Sequence, residues 1–162
     1  RAVYERALPV LQALGSTVTY IGGAGMGLIA KFVNQMLMEA TFCTVAEAFA
    51  MAAKAGADVD AVYQAVRNGF GGSPVLDQVL PQWLAGNLGT GRELTLHQKD
   101  GSYALAAAQM LGVPTPMTEA THFLFNQAVE AGHGHESAAA IGRLFEQWLG
   151  VQLVADSTKV DE

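Results

Sequence analysis

Cysteine is nearly absent from this chain: Cys43 stands alone among 162 residues. One thiol excludes an internal disulfide framework. It lies in an apolar run, the setting of a buried, inert thiol rather than of a nucleophile. Charge is sparse too. Asp, Glu, Lys and Arg make up 15% of the chain, nine basic against fifteen acidic, for a formal net charge of −6. The basic residues are scattered, so the phosphate-neutralising surface of a nucleic-acid binder is missing. No continuous apolar run long enough to span a bilayer is found. Residues 7–30 are broken by Pro9, Gln12, Gly15, Ser16 and further glycines, and the greasier stretch after them is interrupted by Lys31, Glu39, Glu47 and Lys54. Residues 1–15 are amphipathic and charged, unlike a secretory signal. The four histidines (His97, His122, His133, His135) come without an H-E-x-x-H or a cysteine partner, so no metal site is expected. The expectation is a cytoplasmic protein with no nucleic-acid and no membrane partner. The chain opens on Arg1 without an initiator methionine and reads as a fragment, or as a chain whose earlier residues were removed.

What is present is apolar material. Hydrophobic residues make up 51% of the chain, enough for the core of one domain. The low charge implies that part of the outer surface is covered by another chain or domain. Residues 1–14 read as a helix ending at Gly15, with Pro9 as a break or restart. Residues 17–21 (Thr-Val-Thr-Tyr-Ile) are β-branched and aromatic and predict a short strand. It has no partner in the chain, which implies a sheet outside it or a mere extended connector; the former is favoured. Residues 25–55 form one long helical pattern, apolar on almost every face, which predicts a buried central helix stopped by Gly56. Asp58 caps a helix to about Asn68, and Ser73-Pro74 opens another to about Leu84, with Pro81 as a kink or break. A glycine-rich loop covers 86–94, and Thr95–Gln98 fits a capping box for a helix to about Leu111. Thr115-Pro116 starts a helix to about Ala131, and Ser137 caps a last amphipathic helix over 138–149. The tail after Gly150 is expected to be disordered, most clearly from Asp156 on.

Three groups of residues invite chemistry. Gly23, Gly25 and Gly27 follow the expected strand and open the long helix, but G-x-G-x-x-G would need glycine where Leu28 stands. They read as room for a close backbone approach. Lys31 sits one turn into a nearly all-apolar helix, with Asn34 and Gln35 at i+3 and i+4 on its face. Held by amides in a cleft, it could pass a proton to a substrate oxygen. Equally, it could be a helix-end lysine snorkelling to solvent. Lys99 and Asp100 lie in the first turns of a helix, where N–H groups and a cation could meet an anion, or simply face water.

The segment Gly27-Leu28-Ile29-Ala30-Lys31-Phe32-Val33-Asn34-Gln35 resembles the G-x-x-x-K-x-x-N-[NQ] signature of the β-hydroxyacid dehydrogenases, the family of 3-hydroxyisobutyrate dehydrogenase and tartronate semialdehyde reductase. Three more stretches are similar to that family in the same order: Ala46–Ala48 through Lys54–Asp58, Asn68–Ser73, and Leu96-His97-Gln98-Lys99-Asp100. The resemblance runs over roughly residues 5–148. It implies an all-α fold like the C-terminal domain of 6-phosphogluconate dehydrogenase, a helical bundle around one long central helix. Residues 1–21 would be the end of an N-terminal Rossmann domain, 22–150 a helical substrate-binding and dimerisation domain, and 151–162 a tail. It implies Lys31 as the catalytic general acid/base. Asn34, Gln35, Gly71, Gly72 and Ser73 would be substrate-side residues, and Lys99 would contact NAD or NADP, the cofactor being held mainly by the nucleotide-binding half. The implied function is interconversion of a small β-hydroxyacid and its semialdehyde by a homodimer or higher homo-oligomer. A catalytically silent helical dimerisation module is the alternative.

Overall fold

A computed structural model describes residues 1–88 and 91–153. Seven α-helices form it: α1 (Ala2–Leu14), α2 (Met26–Lys54), α3 (Val59–Val66), α4 (Pro74–Leu84), α5 (Leu94–Leu111), α6 (Pro116–Ala128) and α7 (Gly142–Leu149). A π-turn over Val129–His133 extends α6, and a 3₁₀ turn over Ala138–Ile141 leads into α7. The predicted strand over 17–21 is not one: among the described residues there is no strand, only an isolated bridge between Glu93 and Ser137. With no second strand among the described residues to take its hydrogen bonds, the segment is unpaired, and α1 reaches it through the Tyr4 hydroxyl donating to the Val18 carbonyl. No residue of α1 is buried.

Several boundaries follow the local chemistry. The Asp58 carboxylate accepts from the Asp60 and Ala61 N–H groups at the head of α3. The Ser73 hydroxyl accepts from Leu76 N–H, with Pro74 as the first helical residue of α4. Other expectations are corrected. Pro9 and Pro81 lie inside unbroken helices, each costing one i→i−4 bond that the rest of the helix tolerates. No capping box forms at Thr95, because α5 starts at Leu94 with Glu93, two residues before Thr95, at its cap and no side-chain bond there. Ser137 makes no cap either; its hydroxyl donates to Gln82 Oε1 instead.

The core gathers on the C-terminal half of α2. Phe42, Val45, Phe49 and Ala50 meet Leu76, Val79, Leu80 and Trp83 of α4, Phe125 of α6 and the wholly buried run Ala138–Ile141. Trp83 Nε1 donates to the Ala139 carbonyl at 2.8 Å, pinning α4 to that run. Leu153 also belongs to the core, so the core reaches beyond Gly150; residues 154–162, including the tail expected from Asp156, lie outside the described residues. By length and composition α2 could cross a membrane, which the sequence reading did not foresee. Its packing is that of a core helix, with nine residues buried against its neighbours. It is not buried on every side, however. Leu28, Val33, Leu37 and Met51 are exposed, Leu37 by 68%. Along this face runs an open apolar groove of about 630 Å³, walled by Leu37, Thr41, Ala48, Val66, Gly71 and Met117 among others.

Candidate active site

The N-terminal half of α2 places Lys31, Gln35 and Glu39 on one row, each four residues after the last and so one turn further along the same face. Against this row α5 brings His97 and, three and four residues further on, Asp100 and Gly101 of its own buried face. Gly101 lets the two helices approach. A Cβ there would stand 3.0 Å from Glu39 Oε2 and 3.1 Å from His122 Nδ1 of α6.

The result is a polar line that starts at the surface and ends in the core. Lys31 Nζ donates to Asp100 Oδ1 at 3.0 Å, and Arg92, from the loop before α5, donates to Asp100 Oδ2. Gln35 Nε2 donates to the same Oδ2 at 3.1 Å and to Glu39 Oε1 at 3.3 Å. His97 Nδ1 lies 3.5 Å from Glu39 Oε1, close enough to pair but not aligned as a hydrogen bond. Exposure is graded along the line. The side chains of Lys31 and Arg92 are 47% and 42% exposed, whereas Asp100 is 3% exposed; Gln35, Glu39 and His97 are as deeply buried. Burial pushes the Asp100 carboxyl up, but hydrogen bonds from Lys31 and Arg92, reinforced by their charges, outweigh it and hold the group below its ordinary value. Asp100 is therefore a fixed anion with two cations at its mouth. Two cations on one carboxylate leave a net positive rim, and Lys31 keeps donor capacity toward the open side.

Asn34 is exposed beside this rim, its Nδ2 3.5 Å from Gln35 Oε1. Gln35 itself is buried and faces Asp100. Lys99 is exposed on α5, one position before Asp100, with Leu96 and Tyr103 exposed three and four residues away on its side. A cation flanked by an apolar and an aromatic side chain suits an anionic, ring-bearing cofactor. No hydrogen bond or ion pair among the described residues joins Gly71, Gly72 or Ser73 to Lys31. Gly71 lines the apolar groove, Ser73 caps α4, and Gly72 makes a turn so tight that a Cβ would fall 2.0 Å from the Arg67 carbonyl oxygen. The histidines are dispersed: His97 and His122 border Gly101 and Glu39, His133 meets Glu136 at 2.6 Å, and His135 is exposed. Sequence reasoning missed Arg92, Glu39 and His122. Glu39 carried a signal, an acid continuing the Lys31–Gln35 row on an apolar helix. Arg92, in a glycine-rich loop, carried none.

Comparison with known proteins places the chain in a family. Residues 25–145 match a family described as the NAD-binding domain of NADP-dependent 3-hydroxyisobutyrate dehydrogenase. The chain is 34% identical to 2-hydroxy-3-oxopropionate reductase of Escherichia coli over 145 residues, 90% of this chain and 50% of that protein. It is 32% identical to L-threonate dehydrogenase of Cupriavidus necator over 143 residues, 88% and 48% of the two chains. A solved 3-hydroxyisobutyrate dehydrogenase from Salmonella typhimurium superposes with a TM-score of 0.83 at 28% identity, over 89% of this chain and 51% of that one. The fold is thus the helical domain of an NAD(P)-dependent oxidoreductase class. Within that class, the chain belongs to the β-hydroxyacid dehydrogenase family. It spans about half the length of the curated relatives it matches.

Proposed function

We propose that this chain is the substrate-side half of an enzyme that interconverts a small β-hydroxyacid and its semialdehyde, with Lys31 as general acid and base. The observation that carries the reading is the Lys31–Asp100 pair. A half-exposed ammonium is held at a defined point by a buried carboxylate that Arg92 and Gln35 also hold. In reduction Lys31 donates a proton to the substrate oxygen as it becomes a hydroxyl; in oxidation it takes that proton back. Asn34, exposed beside it, is the amide placed to meet the substrate, while Gln35 holds Asp100 from behind. The Arg92 guanidinium at the rim suits the carboxylate that a hydroxyacid carries. Lys99, with Leu96 and Tyr103, is proposed to touch the cofactor; NAD or NADP, when bound, supplies or accepts the hydride. On this reading the nucleotide sits mainly in a separate Rossmann domain, to which residues 1–21 belong, and the helical domain without it is inactive.

The apolar groove on α2 supports a second proposal, that two copies associate through this face. Leu37 and Met117 are exposed and line the groove, Val33 is exposed one turn before Leu37 on α2, and a second copy would cover them. The catalytic reading is tested by K31A in the intact enzyme. Turnover should fall at least about a hundredfold, the scale of a lost general acid, with an unchanged circular dichroism spectrum. Near-normal turnover rejects the assignment.

A further inference from the structure

Glu39 has no place in the chemistry just described, yet its position calls for a reason. Its side chain is 3% exposed on a helix whose next buried residues are Phe42, Cys43 and Val45. A carboxyl group sealed from water is costly unless it is paired, and an apolar residue would fill the same space without that cost. Among the described residues no lysine or arginine pairs with it; His97, between the rings of Phe42 and Phe125, is the one basic group within 4.0 Å. The use of its oxygen is specific. Gln35 has two side-chain N–H donors, and they meet two carboxylates, Glu39 Oε1 and Asp100 Oδ2. Turning that carboxamide over would set Gln35 Oε1 against the anionic Asp100 Oδ2, so Gln35 keeps its nitrogen toward Asp100 and Glu39. Its carbonyl oxygen is thereby left toward Asn34.

We infer that Glu39 is a positioning residue for Lys31, acting through Gln35 and Asp100, with His97 as its buried partner. Glu39 holds the carboxamide of Gln35, Gln35 holds Asp100 Oδ2, and Asp100 Oδ1 holds the lysine. This rests on the reading of Lys31 as the acid/base group, and it adds a residue three steps inside the helix pair that never meets substrate.

The test compares E39L and E39Q in the intact enzyme, with K31A alongside. Leucine keeps the volume and removes the acceptor; glutamine keeps a carbonyl oxygen for Gln35. E39L should lower kcat about tenfold or more with KM changed less than about twofold, the pattern of a lost support behind a reacting group. E39Q should recover most of that loss, which a merely bulk-filling role would not produce. A second measurement uses the 162-residue chain. In wild type the Gln35 carboxamide protons should exchange with water far more slowly than those of exposed Gln109. In E39L that protection should be lost. Wild-type kcat in E39L while K31A is inactive overturns the inference, and so does an E39Q enzyme as impaired as E39L. If E39L does not fold, the wild-type exchange rates and E39Q still decide: Gln35 protons exchanging as fast as those of Gln109 overturn it. Full turnover in K31A instead rejects the lysine reading, and the exchange measurement then judges Glu39 alone.

Discussion

Removing Asp100 should cost stability by an amount that its three donors set. In D100A, Lys31 and Arg92 lose their counterion, but both are nearly half exposed and rehydrate, so each contributes at most about 1 kcal/mol. Gln35 is 4% exposed and cannot reach water, so its orphaned N–H costs about 1–3 kcal/mol. The total is about 1–5 kcal/mol. D100N should cost less, about 1–2 kcal/mol, because its remaining oxygen can keep Gln35 while Lys31 swings to solvent. Urea unfolding of the chain measures this directly. With an m-value of about 2 kcal/mol/M, the D100A midpoint should fall by about 0.5–2.5 M at constant slope. The pH dependence has a definite sign. The folded carboxyl lies below its ordinary value of 3.8, so its contribution is present in full above about pH 4. It is lost as pH falls through the lower, folded value. The gap between wild type and D100A should therefore narrow in acid. A D100A midpoint within about 0.2 M of wild type at neutral pH would refute the account of Asp100 as the anchor of the site.

Three other outcomes are expected. G72A should lose about 1–3 kcal/mol in a thermal melt, because a Cβ would fall 2.0 Å from the Arg67 carbonyl oxygen; an unchanged melting temperature contradicts the tight turn. Burial, with the nearby charges of Glu39 and Glu47, pushes the Cys43 thiol well up. Ellman's reagent at pH 8 should therefore leave it unmodified until denaturant is added, and rapid native labelling counts against its burial. L37D, which sets a charge on the exposed face of α2, should shift the protein toward monomer in light scattering; an unchanged mass removes this face from the interface.

Local rules were enough for most of the helices. An unbroken apolar pattern free of proline made α2, Asp58 and Ser73 made the heads of α3 and α4, and Gly56 and Gly112 mark ends where the chain turns into left-handed backbone. The family signature around Lys31 was legible for the same reason, since the i, i+3 and i+4 spacing of Lys31, Asn34 and Gln35 is a property of one helix. Local rules failed where a distant partner decides. Residues 17–21 have β propensity but no strand among the described residues to pair with, so propensity alone makes no strand there. Ser137 has the chemistry of a cap, yet Gln82 competes for its hydroxyl. Most of all, no periodicity could reveal that Asp100 on α5 takes up Lys31 across a 69-residue separation, or that Arg92, before α5, donates to the same carboxylate. Nor could it show that Gln35 turns inward while its neighbour Asn34 stays at the surface. A helix presents every residue of a face alike. Which of them becomes a surface acid, a buried strut or a hidden carboxylate depends on what a second helix lays against it, and that contact exists only once the chain has folded.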